Sequence, residues 1–305
     1  MTISNNPIDA NASQVSPEKL VRQLRKLLAV TALEGDDFTG MAIPGGRGRM
    51  FGGQVIAQAL MAACDTVDAV RSPHSLHAYF LRAGDNALPV IYRVERDFDG
   101  GTFTNRRVVA LQNDRPILSL TASFQAAEPG FEHGAKMPDV PPPEELKTEI
   151  EHLLDNRDKL PANVIAGMSQ PRPIELRPIY PRSLYFGLKR EPLAHIWFRA
   201  AAPVVDGNQA LHRSILAYAS DMGLLSTSSL PHGVNWFTPG FQSASLDHAI
   251  WFHEDVVADE WMLYTTDSPW AAHSRGMNRG MIFSRDGRLI ASTAQEGLMR
   301  MRTKP

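Results

Sequence analysis

The sequence predicts an α+β protein in which one unit is used twice. Three observations predict it. In each half, a helix that is apolar on nearly every face precedes a run of strands separated by turn signals. A proline-rich stretch lies between the two runs. Finally, two segments recur at nearly one offset. Thr121 in PILSLTASFQ matches Thr293 in RLIASTAQEG at an offset of 172, and His77 in SLHAYF matches His248 in LDHAIWF at 171. A single duplication gives two units rather than a repeat array.

Residues 1–15 are polar and expected to fray. Ser16-Pro17-Glu18 then opens a helix with a cap and a first-turn proline, and Leu20, Leu24, Leu27 and Leu28 give it an apolar stripe. A short strand is expected within 28–33, ending at GDDFTG. Gly52-Gly53-Gln54 leads into Val55, Ile56, Ala57, Ala59, Leu60 and onward, the pattern of a buried helix. Strands are expected at 75–84, 89–100, 102–113 and 116–125, with Asp99-Gly100-Gly101 and Asn113-Asp114 as turns. Residues 137–182 read as a linker with one short amphipathic helix near 143–156. The pattern then returns with the strand AHIWFRAAAPV, the helix LHRSILAYASDMGLL, and the strands SASLDHAIWFHE, DEWMLYTTDS, SRGMNRGMIFSRDG and LIASTAQEGLMR. The chain therefore divides into a flexible N-terminus (1–19), an N-terminal unit (20–136), the linker (137–182) and a C-terminal unit (183–305).

Composition excludes several function classes. A net charge of −2 argues against duplex nucleic acid as a partner. The one cysteine, Cys64, allows no intrachain disulfide and fits a reducing compartment. No apolar run approaches the ~18 residues of a membrane span, no signal peptide is visible, and MRTKP is not a peroxisomal address, so cytoplasm is the expected location. GGRGRMFGG lacks the Gly-Lys-Ser/Thr ending of a phosphate loop. His74 and His77 have no carboxylate or cysteine at a supporting spacing, so no metal and no cofactor are expected.

SASLDHAIWFHE, residues 243–254, places a serine, acids and histidines together and invites a serine-hydrolase reading. Strand periodicity refuses it. Ser245 and His248 would point to opposite faces, and His253 lies four same-face spacings from Ser245, at ~3.3 Å per residue far beyond hydrogen-bond reach. Any partner of Ser245 must come from elsewhere in the chain.

FGGQVIAQAL, SLHAYFLRAGD, LAYASDMGLL, SLDHAIWFHE and LIASTAQEGLMR, in this order, resemble the acyl-CoA thioesterase II family over about residues 20–302. The resemblance implies a double hotdog, two helices each wrapped by an antiparallel sheet. It implies acyl-CoA as substrate and assembly into dimers or larger homo-oligomers such as tetramers. It also implies that an aspartate, a serine or threonine, and a glutamine align a water that attacks the thioester. Carried over by motif, these are Asp221, Ser245 and Gln295.

The residues suit that chemistry. Asp221 has the apolar neighbours Ile215, Leu216, Met222, Leu224 and Leu225, where a carboxylate is costly unless it is bonded or used. The Ser245 hydroxyl and Gln295 amide are expected to satisfy it without quenching its charge. Burial should raise its basicity while the donors oppose that, and the sequence leaves the winner open. A thiolate leaves readily, its parent thiol resembling a cysteine of pKa about 8.5, so no histidine acid is required. The oxyanion still needs donors, for which Gly52, Gly53 or the start of the second buried helix are candidates. In the first unit the Asp221 position falls near Ala62 or Ala63 and the Gln295 position near Ser123 or Phe124, so one active site per chain is expected.

Alternatives stay beside this reading. Asp221 could simply pair with Arg213, and Gln295 could satisfy a sheet edge. His77, His248 and His253 are read as packing residues and Cys64 as inert. Arg106, Arg107, Arg275 and Arg279 are solvated strand faces or phosphate ligands. Two other functions compete: a non-catalytic acyl-CoA binder, and a hotdog enoyl-CoA hydratase. The hydratase would want a histidine paired with the acid, and His212, nine positions earlier, is wrongly phased.

Overall fold

A computed structural model describes residues 15–43, 48–181, 187–205 and 207–302. The expected fraying of residues 1–14 lies outside the described residues. Helix α1 (Pro17–Leu28) starts as predicted: the Ser16 side chain accepts from the Lys19 N–H, and Val21, Leu24 and Leu28 are buried. Two short strands follow, β1 (Val30–Ala32) and β2 (Asp37–Gly40). The buried helix is α2 (Gly52–Cys64). Its polar residue Gln58 survives burial because it is bonded at both ends, accepting from Tyr92 Oη at 2.6 Å and donating to the Leu27 carbonyl. The first run of strands is β3 (Arg71–Phe80), β4 (Val90–Asp99), β5 (Phe103–Gln112) and β6 (Arg115–Ala126); β4, β5 and β6 form a meander, and β3, expected to open it, pairs with β6 instead.

The stretch read as a linker is more structured than its prolines imply. It holds α3 (Glu149–Asp155), closed by a Thr148–Glu151 capping box, then α4 (Ala162–Met168), then β7 (Ile174–Pro178). Strand β7 joins the second sheet beside β8 (Leu193–Ala200), so the last part of 137–182 belongs to the second unit. The second buried helix is α5 (Gln209–Ser220), capped by the Asn208 side chain. The predicted strand over 243–254 is two strands, β9 (Phe241–Ser245) and β10 (Asp247–Phe252), broken at Leu246. Strands β11 (Met262–Ala272), β12 (Arg275–Ser284) and β13 (Leu289–Met301) complete the sheet.

Each half is a helix wrapped by an antiparallel sheet, the α+β arrangement expected from the resemblance. The two sheets are continuous, in the order β1-β2-β4-β5-β6-β3-β10-β13-β12-β11-β8-β7. The seam is β3 against β10, where His77 faces Ala249 and Ala78 faces His248. Those pairs exchange when the halves are exchanged, so a pseudo-twofold axis passes through the seam. Pairing the two edges removes exposed ladder groups. Helices α2 and α5 pack against each other in the enclosed space, where residues such as Ile56, Leu60, Ile215 and Leu216 are fully or almost fully buried.

Candidate active site

Asp221 is the residue after the last turn of α5, its C-cap rather than a position within the helix. Two residues later Gly223, at φ 102°, turns the chain into a 3₁₀ segment (Leu224–His232). The helix end is held from below. Ser220 Oγ lies 2.9 Å from His248 Nε2, and Tyr264 Oη donates to the Ser220 carbonyl at 3.1 Å while sharing a 2.8 Å bond with Thr293 Oγ1.

The carboxylate points at the N-terminus of α2. Its Oδ2 accepts from the Gly53 N–H at 2.8 Å, and its Oδ1 accepts from Gln295 Nε2 at 2.7 Å. Gly52 and Gly53 permit that approach. A Cβ on Gly52 would lie 2.8 Å from Asp221 Oδ2, and one on Gly53 would lie 2.5 Å from the Tyr218 carbonyl oxygen. Gln295 sits on β13 with no exposed surface, and the same Nε2 donates to Ser245 Oγ at 3.0 Å. Both amide hydrogens are therefore committed, one to the acid and one to the hydroxyl.

The structure brings Asp221, Ser245 and Gln295 together and corrects how they connect. Ser245 makes no bond to Asp221 among the described residues; Gln295 bridges them. Ser245 Oγ accepts from Gln295, which leaves its own hydroxyl proton for another partner. Gly53, grouped in the sequence with possible oxyanion donors, instead gives its N–H to the acid. The contest over basicity also has an outcome. Burial raises the Asp221 carboxyl to about 6, and the Gln295 and Gly53 bonds only partly offset it.

The alternative partners go elsewhere. Arg213 donates to the Pro73 carbonyl at 2.6 Å and to Asp255 at 3.0 Å, not to Asp221. His248 is fully buried, and burial lowers it to about 4, so it is neutral near pH 7 and serves the Ser220 bond. His212 accepts from the Ala258 N–H near the start of α5, at the opposite end of the helix from Asp221. Burial pushes the Cys64 thiol up to about 12, far from a nucleophilic thiolate. Arg106 is 1% exposed and bonded to Thr66 and Asp99, while Arg107 pairs with Glu95 and Arg279 with Asp267. Arg275 pairs with Glu296 at 3.5 Å.

One cavity opens on this centre and a second lies beside it. One, about 280 Å³, is lined by Gly52, Phe80, Arg82, Ala244, Ser245 and Leu246, where the end of β3 parts from β9. The other, about 70 Å³ and mostly apolar, begins at Met222 and Gly223 and runs between the 3₁₀ segment and β8 and β11. No single-residue signal in the sequence marked these walls, because they form where separate elements diverge.

A carboxylate, a buried amide and a hydroxyl meet where the end of α5 reaches the start of α2, inside the doubled helix-and-sheet unit of a hotdog fold. Residues 169–298 match the family model for acyl-CoA thioesterase, and residues 43–125 match that for the acyl-CoA thioesterase N-terminal domain. The chain is 41% identical to human acyl-coenzyme A thioesterase 8 over 294 residues, covering 92% of this chain and 91% of that one. It is 37% identical to acyl-CoA thioesterase 2 of Haemophilus influenzae over 283 residues, covering 92% and 98%. Among solved structures, an acyl-CoA thioesterase II from Mycobacterium marinum superposes with a TM-score of 0.75 at 37% identity, covering 92% of this chain and 99% of that one. A hot dog protein from Alicyclobacillus acidocaldarius, at 18% identity and TM-score 0.75, shares the fold. The chain belongs to the acyl-CoA thioesterase family.

Proposed function

We propose that this acyl-CoA thioester hydrolase cleaves fatty acyl-CoA by water attack, with Asp221 as general base and Gln295 and Ser245 as positioning donors. The observation that carries the reading is the pair of bonds from one Gln295 nitrogen to Asp221 and Ser245. That bridge fixes the acid and the hydroxyl in one frame. A water in that frame donates one proton to Asp221 while its lone pair faces the thioester carbonyl carbon. A base raised to about 6 is largely ionised near pH 7, yet more basic than an exposed carboxylate.

As water adds, the carbonyl oxygen becomes an oxyanion. The Gly52 N–H lies in the first turn of α2 beside Gly53, and the positive end of the helix dipole favours charge there. Collapse of the tetrahedral intermediate breaks the C–S bond and expels the coenzyme thiolate, which takes up the proton held on Asp221; the products are the carboxylic acid and the thiol, and the Asp221 carboxylate is restored. The apolar cavity behind Met222 takes the acyl tail and the opening at Ser245 takes the thiol arm.

The test is release of free thiol from saturated acyl-CoAs of increasing chain length, with wild type and D221N side by side. Turnover by wild type, lost in D221N while substrate binding persists, is the expected result. Undiminished turnover by D221N would overturn the mechanism. No turnover of any acyl-CoA by folded wild type would overturn the substrate assignment.

A further inference from the structure

Beyond the opening at Ser245, the outer face of β9 and β13 carries a second recess of about 480 Å³. Its walls include Arg49, Arg300, Arg302, Trp236, Gln242 and Ser243, and no carboxylate is among its lining residues. The two cavities share Arg49 and Ala244, so they form one trench. Among the described residues, none of these three arginines is ion-paired, whereas Arg93, Arg96, Arg107 and Arg279 on the other strands each face an aspartate or glutamate. Trp236 is 56% exposed, an unusual place for an indole without a partner.

Register explains how one trench reaches both faces of the sheet. Ser245 pairs with Gly297 and shares the inward face with Gln295; Ala244 pairs with Leu298 and shares the outward face with Arg300 and Arg302. The strand breaks at Leu246, where the Phe80 N–H bonds the Leu246 carbonyl and β3 then diverges. A thin arm can pass there from the outer recess to the inner carboxylate.

We propose that this recess binds the phosphorylated nucleotide end of the coenzyme A thioester, with Arg49, Arg300 and Arg302 on the phosphates and Trp236 against the adenine. This assignment rests on the thioesterase reading above. The lengths agree. The arm from sulfur to the first phosphorus has roughly thirteen bonds, about 15 Å at the extension of a peptide backbone. Arg300 lies five residues beyond Gln295 on β13, about 17 Å along the strand. A guanidinium reaching back closes the difference. Unpaired arginines favour phosphate because the fork matches two oxygens at once, and an exposed indole offers a stacking face to a base.

The test compares acyl-CoA with the same acyl group on pantetheine, which lacks the nucleotide, in wild type, R300A/R302A and W236A. For R300A/R302A the KM for acyl-CoA rises roughly tenfold or more, and the KM gap between the two substrates closes. W236A narrows the gap less. Adenosine 3′,5′-bisphosphate competes with acyl-CoA in wild type and loses potency in R300A/R302A. R107A/R279A, on ion-paired arginines outside the recess, keeps the wild-type gap. An unchanged gap in R300A/R302A, or equal inhibition of both proteins, overturns the assignment. Calorimetric titration of the bisphosphate separates this from the catalytic reading. Binding by wild type but not by R300A/R302A supports the recess even if no acyl-CoA is hydrolysed. Equal binding by both sinks it even if hydrolysis is rapid.

Discussion

Helices α2 and α5 cross so that each brings an end to the other, yet the two crossings differ in what faces the helix end. Both helices finish on an aspartate cap with nearly the same backbone, Asp65 at φ −66°, ψ −12° and Asp221 at φ −79°, ψ −8°, so the counterpart of Asp221 is Asp65 and not Ala62 or Ala63. At the second cap, a buried glutamine and a glycine amide hold the carboxylate. At the first, the position that repeats Gln295 falls at Ser123 or Phe124, and Ser123 Oγ bonds His74 Nε2 at 2.9 Å instead. Arg213, only 6% exposed, runs into that corner to reach the Pro73 carbonyl. A cation and a missing amide leave nothing to orient an acid. A helix end supplies an acid's position; the sheet opposite decides whether it can work.

The sharpest way to break this comparison is to neutralise each acid in turn. D221N should lower kcat on acyl-CoA by roughly 10²–10⁴, the range for losing a general base. D65N should leave turnover near wild type, because Asp65 is exposed to solvent and no amide relay meets it among the described residues. Equal losses in thiol-release assays would mean that both crossings catalyse, and the asymmetry would be wrong.

Gln295 should rank next and should also move the pH profile. Asp221 must be ionised to accept a proton, so kcat/KM should rise with pH through about 6 and fall away below it. The Gln295 bond lowers that value against burial. Q295L removes it, so the acid limb should shift to higher pH, with the plateau reduced roughly ten- to a hundredfold. A limb that stays in place would show that another group titrates. The same raised carboxyl destabilises the fold as pH rises. Its cost is absent below the unfolded value near 3.8, grows up to about 6 and is constant above.

G53A tests the contribution of the first half. Its Cβ would lie 2.5 Å from the Tyr218 carbonyl oxygen, against backbone that cannot step aside. Overpacking of this kind costs about 1–3 kcal/mol, so Tm should drop by several degrees and activity should fall with the displaced Gly53 amide. G101A, with nothing within 4 Å of its Cβ, should change neither.

Much of this was legible in the chain. Helices α2 and α5 announce themselves by apolar residues on all faces, and the meanders by Asp-Gly and Asn-Asp turns. The residues of the centre were legible through motif resemblance, since each of Asp221, Ser245 and Gln295 alone is unremarkable. Their connectivity was not. The helix stop at Asp221 had a signal in Gly223, two residues on, but the break at Leu246 has none, because there the register against β13 shifts by one residue between β9 and β10. Strand β7 hid among prolines because Ile174–Pro178 lies at the sheet edge, where proline is tolerated. The Gly53 bond to Asp221 spans 168 residues and is a product of helix crossing that local pattern cannot contain.

The smallest effect should come from Ser245, and it sharpens the order of the relay. The hydroxyl accepts one bond from Gln295 at 3.0 Å. S245A removes it but leaves the Gln295–Asp221 bond and the Gly53–Asp221 bond in place. Losing one neutral bond that orients the attacking water should cost about tenfold in kcat. S245T, which keeps an oxygen at the same position on β9, should restore most of it. Steady-state kcat for the two variants reads the difference directly. If S245A instead falls as far as D221N, the hydroxyl is as necessary to the attack as the carboxylate, and the order of the relay is wrong.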